Sequence, residues 1–277
     1  MGLKNTKTFS QITIVVILGV IVVLTFFPYY FMIISSFKNN NEIAGSPFWM
    51  TLPIRWQNYA DSFEMIVGYF KNSIFITGAT VLITTVIAVS SSYVFSRYSF
   101  PGKDFLFMSI MAFIMIPGIL TLIPQYVLVS DMGLIGTRWA AILPFVATAQ
   151  VQFIVVLRPY IEGMPRDLFD AATLDGAGGM RTFFWVVAPL IKPTLTSQML
   201  LTFLNSWNDF VWPMLVLSGN KALKTITVGL YSFRDAQQIL YGPMFAGFVM
   251  AAIPLVILFS LNMKSFISGL TSGAVKG

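Results

Sequence analysis

The sequence contains no cysteine and no histidine. The first absence removes disulfides and thiol nucleophiles, the second removes imidazole bases, and together they remove the usual zinc and haem ligands. Charge is also scarce. Only 10% of the 277 residues are charged, against about 25% in a soluble domain. Apolar residues make up 56%, and the mean hydropathy of +0.78 is too high for an ordinary wet surface. Lys and Arg number 17 against 11 Asp and Glu, a net charge of +6. The cations are scattered among apolar runs and form no patch, which argues against nucleic-acid binding. A phosphate-cradling loop is missing too. Gly102-Lys103 is followed by Asp104 and has no earlier glycine at the required spacing, so ATP is not bound in the P-loop manner. No fixed-period repeat and no low-complexity linker divides the chain, which reads as one transmembrane domain over 1–277.

What the sequence has is long stretches without charge. Residues 8–37, 72–96, 105–130, 139–157 and 236–263 hold none, and 193–220 hold only Asp209. A bilayer core about 30 Å thick takes roughly 20 helical residues, and backbone groups in lipid must bond internally. The windows therefore predict an all-α, polytopic membrane protein with six transmembrane helices, near 11–36, 72–96, 105–129, 139–159, 193–217 and 243–264. Prolines 28, 117, 124, 144, 213 and 254 lie inside the windows and are tolerated as kinks. The first window follows Lys4 and Lys7 as a signal peptide would, yet it is too long for an h-region and no A-x-A-like site follows it. Tyr29 and Tyr30 sit near its end as interfacial aromatics. Met1 to Thr6 also fits the myristoylation pattern, but six spans make a lipid anchor redundant.

Six spans leave both termini on one side. If that side is the cytoplasm, the inside segments carry ten Lys and Arg and the outside segments seven, the sign the positive-inside rule requires. The longest outside segment, 38–71, ends in Phe63, Met65, Ile66 and Phe70, which read either as an interfacial amphipathic stretch or as a packed surface loop. A second outside segment, 218–242, offers Tyr231, Phe233 and Arg234, types enriched at interfaces, though a solvated loop suits each equally.

The inside segment 158–192 is unusually long. Pro165 can open a helix, Asp167 and Asp170 suit its positive end, and Gly176 can close it. A second run from Met180 to Val187 stops before Pro189. The result is a helix, a turn and a helix over 165–188, too short and too charged to span. Ala171 and Ala172 allow close backbone approach, and Leu168, Phe169, Phe183 and Phe184 supply apolar area. This chemistry suits a helix laid into a groove on another protein, or a re-entrant loop packed on its own bundle.

Asp209 is the one charge inside a window, and an intramembrane acid is a candidate for function. Asn205, Asn208, Asp209 and Trp212 follow i, i+3, i+4, i+7, one helical face. Amides and a carboxylate can bond sugar hydroxyls and an indole can pack on a pyranose; the same polar groups can equally tie helices together. Gln125 and Tyr126, with Thr148, Gln150 and Gln152, are further candidates for the path or for helix contacts, and Ser90 to Ser92 read as close-packing residues.

Several stretches resemble one family. Asp170-Ala171-Ala172, then Gly176, then Val186-Val187-Ala188-Pro189 is similar to the E-A-A-x3-G-x9-I-x-L-P loop of ABC importer permeases, with Asp, Val and Ala in place of Glu, Ile and Leu. Ser92-Tyr93-Val94-Phe95-Ser96-Arg97 with Phe100 to Lys103, Ile123-Pro124-Gln125-Tyr126 with Met132-Gly133-Leu134, Ser206-Trp207-Asn208-Asp209-Phe210 and the tail Gly269 to Gly277 resemble the carbohydrate-uptake branch, in particular the second permease of maltose-type systems. The resemblance runs from about Ser36 onward. It implies the type I importer permease fold in a bacterial inner membrane, with both termini cytoplasmic. It also implies a heterodimer with a second permease, two cytoplasmic ATPases and an extracytoplasmic sugar-binding protein. ATP and Mg would then be bound by the ATPases, with no cofactor in this chain, and Asp170, Ala171, Ala172, Gly176 and Pro189 would form the coupling loop. Relatives of that kind carry maltose-like oligosaccharides, other oligosaccharides or glycerol-3-phosphate. The tail 272–277 either reaches the ATPases or frays as termini do. Two other classes fit less well. A stand-alone secondary transporter usually needs several buried ionisable groups, where this chain offers Asp209, and a membrane enzyme lacks His, Cys and clustered acids.

Overall fold

In a computed structural model, residues 2–233 and 239–274 are described, with side chains for 11–231, 233 and 239–263. The chain is 82% helical, and no strand occurs among the described residues. Helix α1 (Gly2–Ser35) runs through Pro28 without a break, and the short α2 (Asn40–Gly45) follows it. Helix α3 (Gln57–Arg97) is 41 residues long, about 60 Å at 1.5 Å per residue. It begins well ahead of the predicted span at 72, so residues 57–71, part of the outside segment whose end reads as an interfacial amphipathic stretch or a surface loop, are helical. The physical reason is local. Pro53 and Pro101 bound a stretch with no proline inside it, and Gln57 donates to Asp61 one turn on at 2.7 Å.

The third and fifth windows are not single rods. Helices α4 (Lys103–Ile114) and α5 (Gly118–Asp131) meet at 104°. Pro117 stands at that bend, and a proline disfavours helical backbone in the residue before it. Helix α6 (Arg138–Glu162) is capped by Thr137, whose hydroxyl accepts the Ala140 N–H. Then come α7 (Arg166–Leu174), α8 (Gly179–Thr182), a π turn over Phe183–Val187, α9 (Ala188–Asn208) and α10 (Val211–Leu217). The short α11 (Ile226–Leu230) and the long α12 (Tyr241–Ala274) close the chain. Among the described residues four helices are long and apolar enough to cross a membrane, or five if the bent α4–α5 pair is one span. The predicted fifth span, 193–217, fails that measure because it is interrupted at Asp209 and α9 is rich in Thr, Ser and Gln.

Where the sequence shows no linker, the contacts divide the chain into two compact units. One comprises Met1–Val67 and Leu230–Ile253. In it Phe31 and Phe245 meet edge to face at 5.6 Å, and Asn58 donates to the carbonyls of Ser36 (2.8 Å) and Lys38 (2.9 Å). The fully buried Lys38 gives its ammonium to the Ser46 carbonyl at 2.8 Å, and Arg55 pairs with Glu42 at 2.9 Å. Arg234 lies outside the described residues, as does the end of the tail beyond Ala274.

The other unit comprises Gly68–Gly229 and Pro254–Gly277. Two apolar clusters hold it. One gathers Phe153, Leu157, Ile161, Phe169, Val187 and Ile191, the other Ile76, Ala140, Ile142, Trp212, Val216 and Leu217. In the same unit α3 carries buried Ser73, Thr77, Thr80 and Thr84, and α9 carries buried Thr194, Ser197, Gln198, Thr202 and Ser206. The Thr77 and Ser206 hydroxyls lie 3.2 Å apart. Small polar residues let helices approach closely in lipid, where apolar burial gives no preference for protein over tail. Ser92 belongs to this packing, fully buried, while Ser90 is exposed. Near Gly68, α3 also ties down the loop before α11. Asn72 donates to the carbonyls of Ala222 (2.7 Å) and Lys224 (3.2 Å), accepts from Arg138 (3.0 Å), and neighbouring Ser73 accepts the Ile226 N–H at 2.8 Å.

Candidate functional site

Two features of the second unit carry the predicted site residues other than Gln125 and Tyr126. The first is the elbow formed by α7, α8 and the π turn. Pro165 precedes α7 and Asp167 lies in its first turn, as the sequence predicts. Gly176 ends it with a φ of +73°, where a β-carbon would be strained. Ala177 N–H then reaches the Ala172 carbonyl (2.9 Å) and Gly176 N–H the Thr173 carbonyl (3.0 Å), the paired bonds of a Schellman stop. One face of α7, Phe169 and Ala172, is buried, whereas Asp170, Ala171 and Leu174 are exposed. Of the four residues that supply apolar area to this segment, Phe169 and Phe183 pack on their own bundle. The outward apolar surface comes from Leu168, Leu174, Met180, Phe184 and Trp185. Trp185, 78% exposed, was not a sequence candidate; its position in the second helical run was the available signal. A cavity of ≈ 310 Å³ is lined by Ala171, Ala172, Asp175, Arg181 and Trp185 among others.

Pro189 does not end the second helical run. The chain stays helical from Gly179 to Asn208, with Pro189 in the first turn of α9. The π turn accounts for this. Ala188 N–H reaches back five residues to the Phe183 carbonyl, and the wider turn makes room for a ring that would clash with the i−4 carbonyl in an α-helix.

The second feature is a cleft of ≈ 460 Å³ where α9 stops. The predicted helical face does not run through it, because the helix ends at Asn208 and Asp209 is extended at φ −67°, ψ 131°. Pro213 explains the break. It has no N–H to give the Asp209 carbonyl four residues back, and that carbonyl accepts the Thr227 hydroxyl instead, at 2.7 Å. The Asp209 carboxylate accepts the Val211 N–H at 3.1 Å. Asn205, Asn208, Asp209 and Trp212 nevertheless line the same cleft, with Gly118, Leu122, Phe145, Leu204 and Val211. Trp212 is only 5% exposed, and its indole N–H is committed to the Ala140 carbonyl at 2.9 Å, so its role is packing more than presentation. Gln125 and Tyr126 sit on α5 but do not line this cleft, to which α5 contributes Gly118 and Leu122. Thr148 bonds back to the Pro144 carbonyl of its own helix at 3.1 Å, and α6 contributes Phe145, an apolar residue with no polar signal to mark it. The Ser206-to-Phe210 stretch thus divides. Trp207 is 2% exposed, stacked on Phe203 (5.4 Å) and edge-on to Phe70 (5.7 Å), while Asn208 and Asp209 turn to the cleft.

A bundle of long apolar helices with a polar cleft at a broken helix, and an elbow too charged to enter lipid, has the parts of a membrane transport subunit. Residues 85–269 match the binding-protein-dependent transport system inner membrane component family, and the chain belongs to it. It is 34% identical over 90% of its length to the probable ABC transporter permease protein YurM of Bacillus subtilis, covering 83% of that protein. It is 31% identical to the arabinooligosaccharides transport system permease protein AraQ of the same organism, over 99% of this chain and 100% of AraQ. The trehalose/maltose transport system permease protein MalG of Thermococcus litoralis is 32% identical, over 95% and 97%. Among solved structures, a bacterial ABC transporter involved in the import of the acidic polysaccharide alginate superimposes with a TM-score of 0.81 at 20% identity, over 94% of this chain and 98% of that one, which shows the shared fold.

Proposed function

We propose that this permease conducts a di- or oligosaccharide, handed over by an extracytoplasmic binding protein, as one half of a heterodimeric path driven by two cytoplasmic ATPases. The observation that carries the sugar assignment is the end-to-end likeness to AraQ, supported by the likeness to MalG. The chemistry of the cleft agrees with it. Asn205, Asn208 and Asp209 are grouped hydrogen-bonding side chains, and Leu122, Phe145 and Leu204 are apolar surface on which a sugar face can rest. In this reading the chain crosses the membrane six times, with the α4–α5 and α9–α10 pairs each counted as one span and both termini inside. ATP and Mg bind the partner subunits, and Asp170, Ala171, Ala172, Gly176 and Pro189 belong to the loop that meets them.

Because the chain has no cysteine, Asp170→Cys introduces a single thiol. An impermeant maleimide added to intact cells should fail to label it and should label it in inverted vesicles. Labelling from outside would overturn the topology and with it the importer. The cleft is tested with two substitutions at Asp209. Asp209→Ala should abolish uptake of labelled oligosaccharide in an assembled complex, and Asp209→Asn, which keeps an acceptor for the Val211 N–H, should leave part of it. Loss of assembly in both would assign Asp209 to the helix break alone. A stand-alone secondary transporter is not favoured, and an ATPase and a second permease should co-purify with the tagged chain.

A further inference from the structure

The stretch from Tyr93 to Tyr98 has no part in the cleft, yet three of its residues reach the elbow. The Arg97 guanidinium carbon lies 3.4 Å from the centre of the Phe169 ring. That ring is 5% exposed and belongs to the cluster that includes Leu157, Ile161 and Val187, so the cation closes a buried aromatic face. Among the described residues Arg97 makes no ion pair. The Tyr93 hydroxyl donates to the Gly179 carbonyl at 3.0 Å, and the Tyr93 ring lies 5.2 Å from that of Phe183. Finally, a β-carbon on Gly179 would collide with the Tyr98 hydroxyl, so the first turn of α8 is seated directly against the end of α3.

We propose that Arg97 and Tyr93 are positioning residues that couple the elbow to α3, so that the elbow has two outputs. One is covalent and runs through the π turn into α9. The other is non-covalent and runs through the Phe169 and Gly179 contacts into α3. These two helices meet where the Thr77 and Ser206 hydroxyls lie 3.2 Å apart, and α9 ends at the cleft. A push on the elbow is therefore delivered to both helices of that contact together, which keeps them in register while the cleft changes shape. Guanidinium–ring contact suits this task, since its attraction depends on the face of the ring and survives small sliding, while the single Tyr93 bond sets the seat.

The proposal rests on the reading that the elbow meets an ATPase, and its test separates the two. The complex is purified by a tag on the permease, reconstituted in proteoliposomes with its binding protein, and assayed for ATP hydrolysed and labelled oligosaccharide imported. If wild-type permease brings down no ATPase, the reading of the elbow fails first. Given wild-type coupling, Arg97→Gln and Phe169→Leu should still co-purify the ATPase but raise the ATP consumed per sugar imported by about tenfold, within the range typical of coupling between sites. Arg97→Lys should restore most of the coupling, and Tyr93→Phe should lose a smaller part of it. An unchanged ratio in both Arg97→Gln and Phe169→Leu overturns the proposal. Loss of assembly in both also overturns it, since the contact would then serve folding and not coupling.

Discussion

The two ends of α3 within the second unit hold their neighbours by different physics. Near Gly68, Asn72 and Ser73 grip the segment leading into α11 with three directional bonds to backbone groups, between 2.7 and 3.2 Å, and Asn72 accepts a fourth bond from the Arg138 side chain at 3.0 Å. At the other end, Tyr93 and Arg97 hold the elbow largely by a tilted ring–ring contact and a cation over a ring, with one hydrogen bond. Hydrogen bonds weaken steeply with angle, so the first end is fixed in geometry. Ring–ring and cation–ring contacts fall off gently, so the second end can shift and remain attached. One helix thus joins a rigid mount to a compliant one.

The contrast can be broken most forcefully at the rigid end. Asn72→Leu leaves two carbonyls and a guanidinium without their partner and should destabilise the permease by about 3 kcal/mol, seen as a lowered unfolding temperature in nanodiscs and early proteolysis at 218–230. Next, Gly179→Ala pushes against the Tyr98 hydroxyl at the compliant end and should cut import about tenfold, equivalent to about 1.4 kcal/mol, while thermal stability changes little. If Gly179→Ala instead unfolded the permease, the two ends would not differ as described. Ser73→Ala orphans only the buried Ile226 N–H and should cost about 1–2 kcal/mol with import preserved.

The smallest effect concerns Glu42, outside both ends. The hydrogen-bonded Arg55 guanidinium holds its carboxyl below the usual carboxylate range, helped by the Asn39 N–H. A carboxyl whose folded pKa is lowered contributes stability above its unfolded value, about 4.3, and loses it as pH falls through the folded value. The unfolding temperature should therefore drop more steeply below about pH 4.3 in the wild type than in Glu42→Gln. Equal slopes would mean the pair contributes nothing measurable, as many surface pairs do.

Absence of charge pointed to helices. The predicted spans 72–96 and 139–159 fall within α3 and α6, and 243–264 within α12, because the cost of a charge in lipid leaves a mark at nearly every residue. The same signal is blind to direction, so it saw one rod where α4 and α5 meet at 104°. Prolines did not resolve the matter. Pro28, Pro144 and Pro254 sit inside continuous helices, whereas Pro117 stands at a bend and Pro213 lies just past a break. At Pro213 the freed Asp209 carbonyl finds another donor in Thr227, and that donor is 18 residues away in the chain, beyond the reach of a local signal. The elbow was legible because its signals are local: Pro165, the acidic first turn and Gly176 act within one or two helical turns. Its orientation was not. Which face of α7 is buried follows from Arg97, Leu157 and Val187, all distant in sequence from Phe169. The cleft mixes both kinds, with Asn205, Asn208 and Asp209 recognisable as polar groups in an apolar window and Leu122 and Phe145 indistinguishable from any lipid-facing residue.

The π turn at Phe183–Val187 carries one residue more per turn than the helices on either side. Deleting one of its residues would let the segment wind as ordinary helix, and everything after it up to Asn208 would be rotated by about 100° about the helix axis. Asn205 and Asn208 would then face a different neighbour with no change in their own surroundings along the chain. The choice between five and four residues at this one place is thus a register mark, set at the elbow and read some 20 residues later at the cleft.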